Sequence, residues 1–201
     1  MNEGMLLIIS GPSGSGKGTV VKRLLPEHGF ALSISMTTRD QRLNEVHGRD
    51  YIFCSEEEFK RVRDNDGLLE HALFSGHFYG TPISYVQEMI SHGKTVVLEI
   101  EAEGALQVKQ KYPSATMIFL MPPKRDELKS RLIKRGREGM DEIERRLRRA
   151  NEEIALIPKY DYLVINDDIK VAVDEINLIV AAEHLRTRHK DCQEKINKFY
   201  G

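Results

Sequence analysis

A chain of 201 residues, 40% hydrophobic and 30% charged, is long enough to bury one main core and carries no signature of fibre, collagen or disorder. Thirty Lys and Arg against 31 Asp and Glu leave a formal charge of −1, which argues against a general nucleic-acid or membrane-surface binder and makes any basic function local. Cys54 and Cys192 stand far apart with neither CxxC nor Cys/His spacing, and Met5 to Ile9 is too short for a signal or membrane span; the expectation is a soluble cytoplasmic protein with two unpaired thiols, no nucleic-acid partner and no membrane.

Met5 to Ser10, MLLIIS, is a short apolar run closed by Gly and Pro, the pattern of a buried parallel strand. Gly11 to Gly18, GPSGSGKG, follows at once and matches GxxxxGK between a strand and a helix. Its glycines permit positive φ and close backbone approach, so that N–H groups and a helix N-terminus face phosphate oxygens while Lys17 reaches the β and γ phosphates. Gly11, Pro12, Ser13, Gly14, Ser15, Gly16, Lys17, Gly18 and Thr19 are therefore candidate contacts to a nucleoside triphosphate. The loop alone is compatible with an ATPase, a GTPase or a kinase. The pattern ordinarily ends in Ser or Thr, but Gly18 holds that place. Either Thr19 substitutes as magnesium ligand, or Mg²⁺ is held by water, phosphates and carboxylates; its reluctance to dehydrate favours the second.

Thr19 to Leu25 has helical periodicity with Pro26 and Gly29 as stop signals, and Phe30 to Met36 reads as a second strand. Residues 37–82 then break the alternation. They are polar, carry short aromatic-rich strand signals such as Tyr51-Ile52-Phe53, and end in the turn cluster Gly76 to Pro82, the composition of an inserted small subdomain. Arg39 and Arg42, flanked by hydroxyls and followed by Tyr51, offer bidentate and neutral donors to a phosphate, or form an ordinary solvated loop. Ile83 to Ser91 and Gly104 to Lys111 read as helices around the strand Thr95 to Ile100. Glu99 and Glu101 follow the apolar part of that strand, at the carboxyl end where ligands bind in parallel sheets.

After the strand Thr116 to Met121, residues 124–149 hold eight arginines around Gly136 and Gly139: helix Arg125 to Lys134, a flexible bend, and helix Asp141 to Leu156. Interleaved acids allow a solvated face, whereas phosphoryl transfer asks for a hinged basic lid that closes over phosphates and expels water. The strand Tyr162 to Ile165, the turn at Asn166, the helix Lys170 to Arg188 and a polar helical end complete the chain. Strands alternating with helices imply right-handed βαβ units and a mostly parallel sheet covered on both faces.

Ser35, Thr37-Thr38-Arg39, Arg42, Glu45, Gly48 and Tyr51, followed by Glu70 and Tyr79-Gly80-Thr81, closely resemble the guanylate kinases, and GKGT is typical of kinases acting on nucleoside monophosphates. The resemblance covers residues 4–185. It implies an α/β P-loop kinase with a mostly parallel central sheet, an inserted GMP-binding subdomain and a helical lid. The parts are a core at 4–34, 92–123 and 150–185, a GMP-binding insert at 35–91, a lid at 124–149, and a C-terminal helical tail at 186–201. The implied reaction is ATP + GMP ⇌ ADP + GDP with Mg²⁺.

By the same resemblance Arg39, Arg42, Tyr51 and Tyr79 grip the GMP phosphate, Ser35, Glu70 and Thr81 read the base, and Glu45 and Glu99 join the GMP set. Lys17, Arg39, Arg135 and Arg146 are the catalytic cations, with Arg131 and Arg148 as further lid candidates. Asn166 contacts the ATP base or ribose, or is a turn residue. Glu99 and Glu101 reach magnesium through water, although the family usually has Asp at the first position and often at the second. A carboxylate paired with Arg39 or Lys17 in the ligand-free state is the alternative. Glu70 suits guanine, whose N1–H and N2 amine both donate to a carboxylate, while adenine offers an unprotonated N1. A kinase for another monophosphate, a binding module that turns the GMP groove to protein partners, and nucleic-acid binding through the lid are the rivals; the retained Gly16, Lys17 and lid arginines weigh against the module.

Overall fold

The computed structural model describes residues 4–27, 29–74, 76–135, 140–186 and 190–200. β1 (Met5–Ser10), buried throughout, leads into α1 (Lys17–Leu24) and then β2 (Phe30–Leu32). β3 (Met36–Thr37), β4 (Ile52–Phe53), β5 (Leu68–Phe74) and β6 (His77–Pro82) build a second sheet, with α2 (Glu56–Asp64) between β4 and β5. α3 (Ile83–Ser91) returns the chain to the first sheet for β7 (Thr95–Glu99), α4 (Ala102–Lys111) and β8 (Thr116–Met121). α5 (Arg125–Arg135), α6 (Met140–Ile154), β9 (Tyr162–Ile165), α7 (Ile169–His184) and α8 (Lys190–Tyr200) follow.

The first sheet runs β2-β7-β1-β8-β9 with every neighbouring pair parallel. From β1 the chain winds outward to β2 on one side, and from β7 it crosses to β8 on the other. The winding reverses around β1, and the crevice at such a reversal, outside the carboxyl ends of the strands, is where ligands bind. Alternation of side chains along the strands gives the sheet two apolar faces. Leu7, Ile9, Val97 and Ile118 pack against Val20, Val21 and Leu24 of α1 and Ala172, Val173 and Ile176 of α7. Leu6, Ile8, Val96 and Leu98 pack against Val86 and Ile90 of α3 and Ala105 and Val108 of α4. The insert has its own core of Met36, Phe59 and Leu68, in which Phe59 stacks on Phe78 at 5.4 Å.

The strand expected over Phe30 to Met36 is two strands in two sheets. Ser33 N still bonds Val97 O of β7 at 2.9 Å, while Ser35 O already accepts from Ile52 N of the insert at 2.9 Å, so the chain changes partners across Ile34. Nor does the aromatic-rich reading of the insert anticipate α2. Its start was nevertheless written in the chain: Ser55 Oγ accepts from Glu58 N at 3.1 Å, with Glu56 to Glu58 in the first turn and Arg61 and Arg63 in the last. α1 begins at Lys17, ahead of Thr19, because Gly16 in the left-handed conformation (φ 94) ends the loop. α4 starts two residues before Gly104, α6 stops at Ile154, α7 stops at His184, and β7 ends at Glu99. The bend at Gly136 and Gly139 and the helix end at Arg188 lie outside the described residues. Among those that are described, no helix is long and apolar enough to cross a membrane, and both cysteines are unpaired.

Candidate active site

Residues 11–16 turn at the carboxyl end of β1 with φ of 145 at Gly11 and 94 at Gly16, a region that strains any L side chain. Space forbids a side chain too: a Cβ on Gly11 would stand 2.0 Å from Leu120 O, and one on Gly16 2.3 Å from Asn166 Nδ2. The turn is closed by Ser15 N to Pro12 O at 3.0 Å, and Thr19 N to Gly16 O at 3.0 Å starts the helix. Lys17 Nζ folds back over the loop to donate to Gly11 O and, at 3.3 Å, to Pro12 O. Ser13 and Thr19 are exposed; Ser15 is buried, and its hydroxyl has no hydrogen-bond partner among the described residues.

Asn166, 3% exposed just beyond β9, braces this loop by donating from Nδ2 to Ser15 O at 2.8 Å. Its Oδ1 is buried without a partner among the described residues. Arg131 Nη2 donates to Asn166 O at 3.0 Å while its Nε holds Glu127 Oε1 at 2.8 Å, so α5 is tied to the same rim. Gly14, Gly16, Thr19, Arg131, Asn166, Asp167 and Ile169 line a cleft of about 330 Å³ there. It adjoins a more open one of about 650 Å³ that reaches Lys22, Arg23 and Lys170.

At position 18 a Cβ would stand 3.3 Å from Glu99 Oε1 and 3.6 Å from Oε2, so the carboxylate of β7 borders the place where a hydroxyl-bearing side chain was expected. Glu101, the residue before α4, bonds Arg149 of α6 through Oε2. Arg149 Nε also stands 3.4 Å from Oε1 of Glu153, which is 8% exposed and whose carboxyl burial pushes up. Among the described residues no group of three His, Cys, Asp or Glu could hold a metal unaided. This donor set suits an ion that arrives with phosphates and keeps part of its water.

On the insert, Arg39 forms a bidentate pair with Glu45, Nη2 to Oε1 at 2.8 Å and Nη1 to Oε2 at 3.0 Å. Its guanidinium stands 5.3 Å from the Tyr51 ring centroid and 5.7 Å from that of Phe53, within cation–π range. The pair holds the Glu45 carboxyl below the usual range and the Arg39 proton more tightly than usual. Arg42 is exposed, with its N–H on Glu45 Oε2 at 2.9 Å. Tyr51 and Tyr79 meet edge to face at 6.0 Å. Ser35 is half-buried where the chain enters the insert. Deeper, Glu70, 7% exposed, accepts from the Thr81 hydroxyl at 2.7 Å; burial pushes its carboxyl up against the pull of Thr81. Its Oε2 lies against the start of α4, where a Cβ on Gly104 would come within 3.2 Å.

The basic helices are joined by Leu128, Leu132, Leu147 and Ala150. Arg146 Nε donates to Glu142 Oε1 at 3.2 Å, Arg145 pairs with the same carboxylate, and the exposed Arg148 faces Glu144 at 3.8 Å. Arg135 closes α5, and its side chain lies outside the described residues. The phosphate loop, Glu99, Asn166 and Arg131 thus share one rim of the first sheet, while Arg39, Tyr51, Tyr79, Glu70 and Thr81 gather on the insert. Arg39 takes Glu45, and Glu101 takes Arg149. Sequence reasoning missed Phe53 beneath Arg39, Glu153, and the particular place of Arg149 among the lid arginines. Only the Arg149–Glu153 spacing was readable, as an i,i+4 pair.

A family model described as guanylate kinase matches residues 3–183. A guanylate kinase of Streptococcus mutans is 49% identical over 92% of this chain and 89% of its own. One of Caldanaerobacter subterraneus subsp. tengcongensis is 48% identical over 98% and 96%. Among solved structures, a guanylate kinase from Anaplasma phagocytophilum aligns with a TM-score of 0.73 at 33% identity, covering 94% of this chain and 90% of that one.

Proposed function

This chain belongs to the guanylate kinase family, and on that premise we propose how its residues divide the work of an enzyme that transfers the γ-phosphate of ATP to GMP, giving ADP and GDP. The buried Glu70–Thr81 pair carries the assignment of the acceptor. A buried carboxylate that accepts one hydroxyl and keeps further lone pairs is matched by two adjacent donors, and guanine presents them. The wrong base leaves that charge buried and unpaired.

Loop residues 11–19 take the ATP phosphates, with Asn166 and Arg131 on the nucleoside side of the cleft. Arg39, Arg42, Tyr51 and Tyr79 take the GMP phosphate, Glu45 keeps Arg39 aimed, and Ser35, Glu70 and Thr81 read the base. The parts correspond to a core at 4–34, 92–123 and 150–185, an insert at 35–91, a lid at 124–149 and a tail at 186–201. The separate apolar core of the insert supports that division.

The acceptor phosphate is already anionic, so no general base is required. Catalysis reduces to aligning two phosphates, offsetting their repulsion and excluding water. Lys17 leaves the loop carbonyls to follow the transferring group, Arg39 holds the acceptor oxygen, and Arg135 and Arg146 close from the lid. Mg²⁺, which Glu99 and Glu101 would hold through water beside the phosphates, neutralises charge on the transferring group when bound. We place the reaction in the cytoplasm, a location that the balanced charge and two widely separated cysteines favour.

A coupled ADP-release assay comparing GMP, AMP, UMP and dTMP tests the assignment. GMP should win by orders of magnitude; a preference for AMP would remove the role given to Glu70.

A further inference from the structure

One bond between the lid and the first sheet is made by an arginine that the phosphate chemistry leaves unused. Arg149 reaches from α6 to Oε2 of Glu101, between β7 and α4, while its Nε stands 3.4 Å from Oε1 of Glu153 one turn further along its own helix. Glu153 is 8% exposed, and its Oε2 has no hydrogen-bond partner among the described residues. A carboxylate kept in such a place is costly unless a cation is held beside it.

We propose that Arg149 is a positioning residue for the phosphoryl transfer: clamped between Glu101 and buried Glu153, it pins the end of α6 to the ligand rim of the sheet and so aims Arg146. Arg146 lies three residues earlier on the same helix, a spacing that places both side chains on neighbouring faces. Fixing Arg149 against the core therefore fixes the rotation and height at which Arg146 is presented to the phosphates. Small errors there are expensive, since a displacement near 1 Å at a reacting centre lowers turnover by about a hundredfold. The guanidinium fork suits the task because it bridges two carboxylates at once, which a lysine ammonium on a flexible stem does poorly.

The inference rests on the phosphotransfer reading above, and the experiment keeps the two apart. Arg149→Met, Arg149→Lys and Glu153→Gln are made in the full chain and compared with wild type for kcat, for KM of ATP and of GMP, and for Tm. If the wild type does not phosphorylate GMP, the reading above fails first. Given an active wild type, Arg149→Met should lower kcat by roughly ten- to a hundredfold. KM for GMP should stay within about twofold, because GMP binds on the insert, and Arg149→Lys should recover only part of kcat. Glu153→Gln should lower kcat in the same direction, and the double variant should be no worse than Arg149→Met alone, since both act through one clamp. Arg149 is 54% exposed, so its variants do not depend on repacking a core, and the test stands even if Glu153→Gln fails to fold. A kcat unchanged in Arg149→Met, complete recovery in Arg149→Lys, or additive losses in the double variant would overturn the proposal.

Discussion

Replacing Glu70 by Gln changes one atom in the acceptor pocket, and its consequences can be worked through. The carboxylate accepts from Thr81 at one oxygen and has the other beside the start of α4. An amide that keeps its oxygen on the Thr81 hydroxyl turns its NH₂ toward guanine, where it meets the N1–H and N2–H donors; turned the other way, its NH₂ donates to the Thr81 hydroxyl and one uncharged oxygen is left for both guanine donors. One charge-assisted hydrogen bond is lost, and in the first orientation a donor meets a donor, about 2–3 kcal/mol against GMP. That is roughly a 30- to 150-fold fall in kcat/KM for GMP. KM for ATP should hold, and the GMP to AMP ratio should narrow from both sides because the new amide can donate to adenine N1. Stability moves the other way. Burial raises the Glu70 carboxyl, so the folded state binds its proton more readily than the unfolded chain does. Stability from this group is complete below the ordinary carboxylate range and is lost as pH rises through the raised folded value. Glu70→Gln removes that dependence, so its Tm should match the wild type in acid and exceed it above the raised value. Initial-rate kinetics on both bases and melting curves across pH supply the readouts. A kcat/KM for GMP within threefold of wild type, or an unchanged base ratio, would refute the reasoning.

Lys17→Ala should retain the fold and Tm while lowering kcat by about 10²–10³, because an amine aimed at developing phosphate charge is removed; near-normal turnover in a coupled assay sinks the mechanism. Gly11→Ala places a Cβ 2.0 Å from Leu120 O at a φ of 145, and a loss of about 3 kcal/mol should lower Tm by roughly 6–12 °C in calorimetry. Phe59→Ala empties the centre of the insert's core, a change that costs about 3–5 kcal/mol. Because that core is separate, titration calorimetry should find GMP binding lost while an ATP analogue still binds; equal loss of both would mean that the two sheets unfold as one.

Local patterns carried much of the outcome. β1 and β8 lie where short apolar runs placed them, since a strand buried on both faces is predominantly apolar and is bounded by residues that break it; the edge strand β9 follows its apolar run too, although Leu163 and Ile165 are exposed. The phosphate loop was equally legible, because its backbone turns demand glycine at fixed spacing and its chemistry demands Lys17. The Glu70–Thr81 pair, to which we assign the acceptor base, was singled out only through a family resemblance: the two residues are 11 apart on different strands, and nothing local says that they meet.

Tertiary structure decided the remainder, wherever a residue's partner lies across a crossover. The chain leaves one sheet for another across Ile34, within a run that reads along the sequence as a single strand. Arg149 meets Glu101 across 48 residues, and Asn166 braces Ser15 across 151. The lack of a hydroxyl at position 18 was visible in the sequence. That the Glu99 carboxylate borders that spot depends on the register of β7 beside β1. Hydrophobic period and turn chemistry act between near neighbours and can be read along the chain, whereas ion pairs and steric exclusion exist only after packing has brought distant elements together.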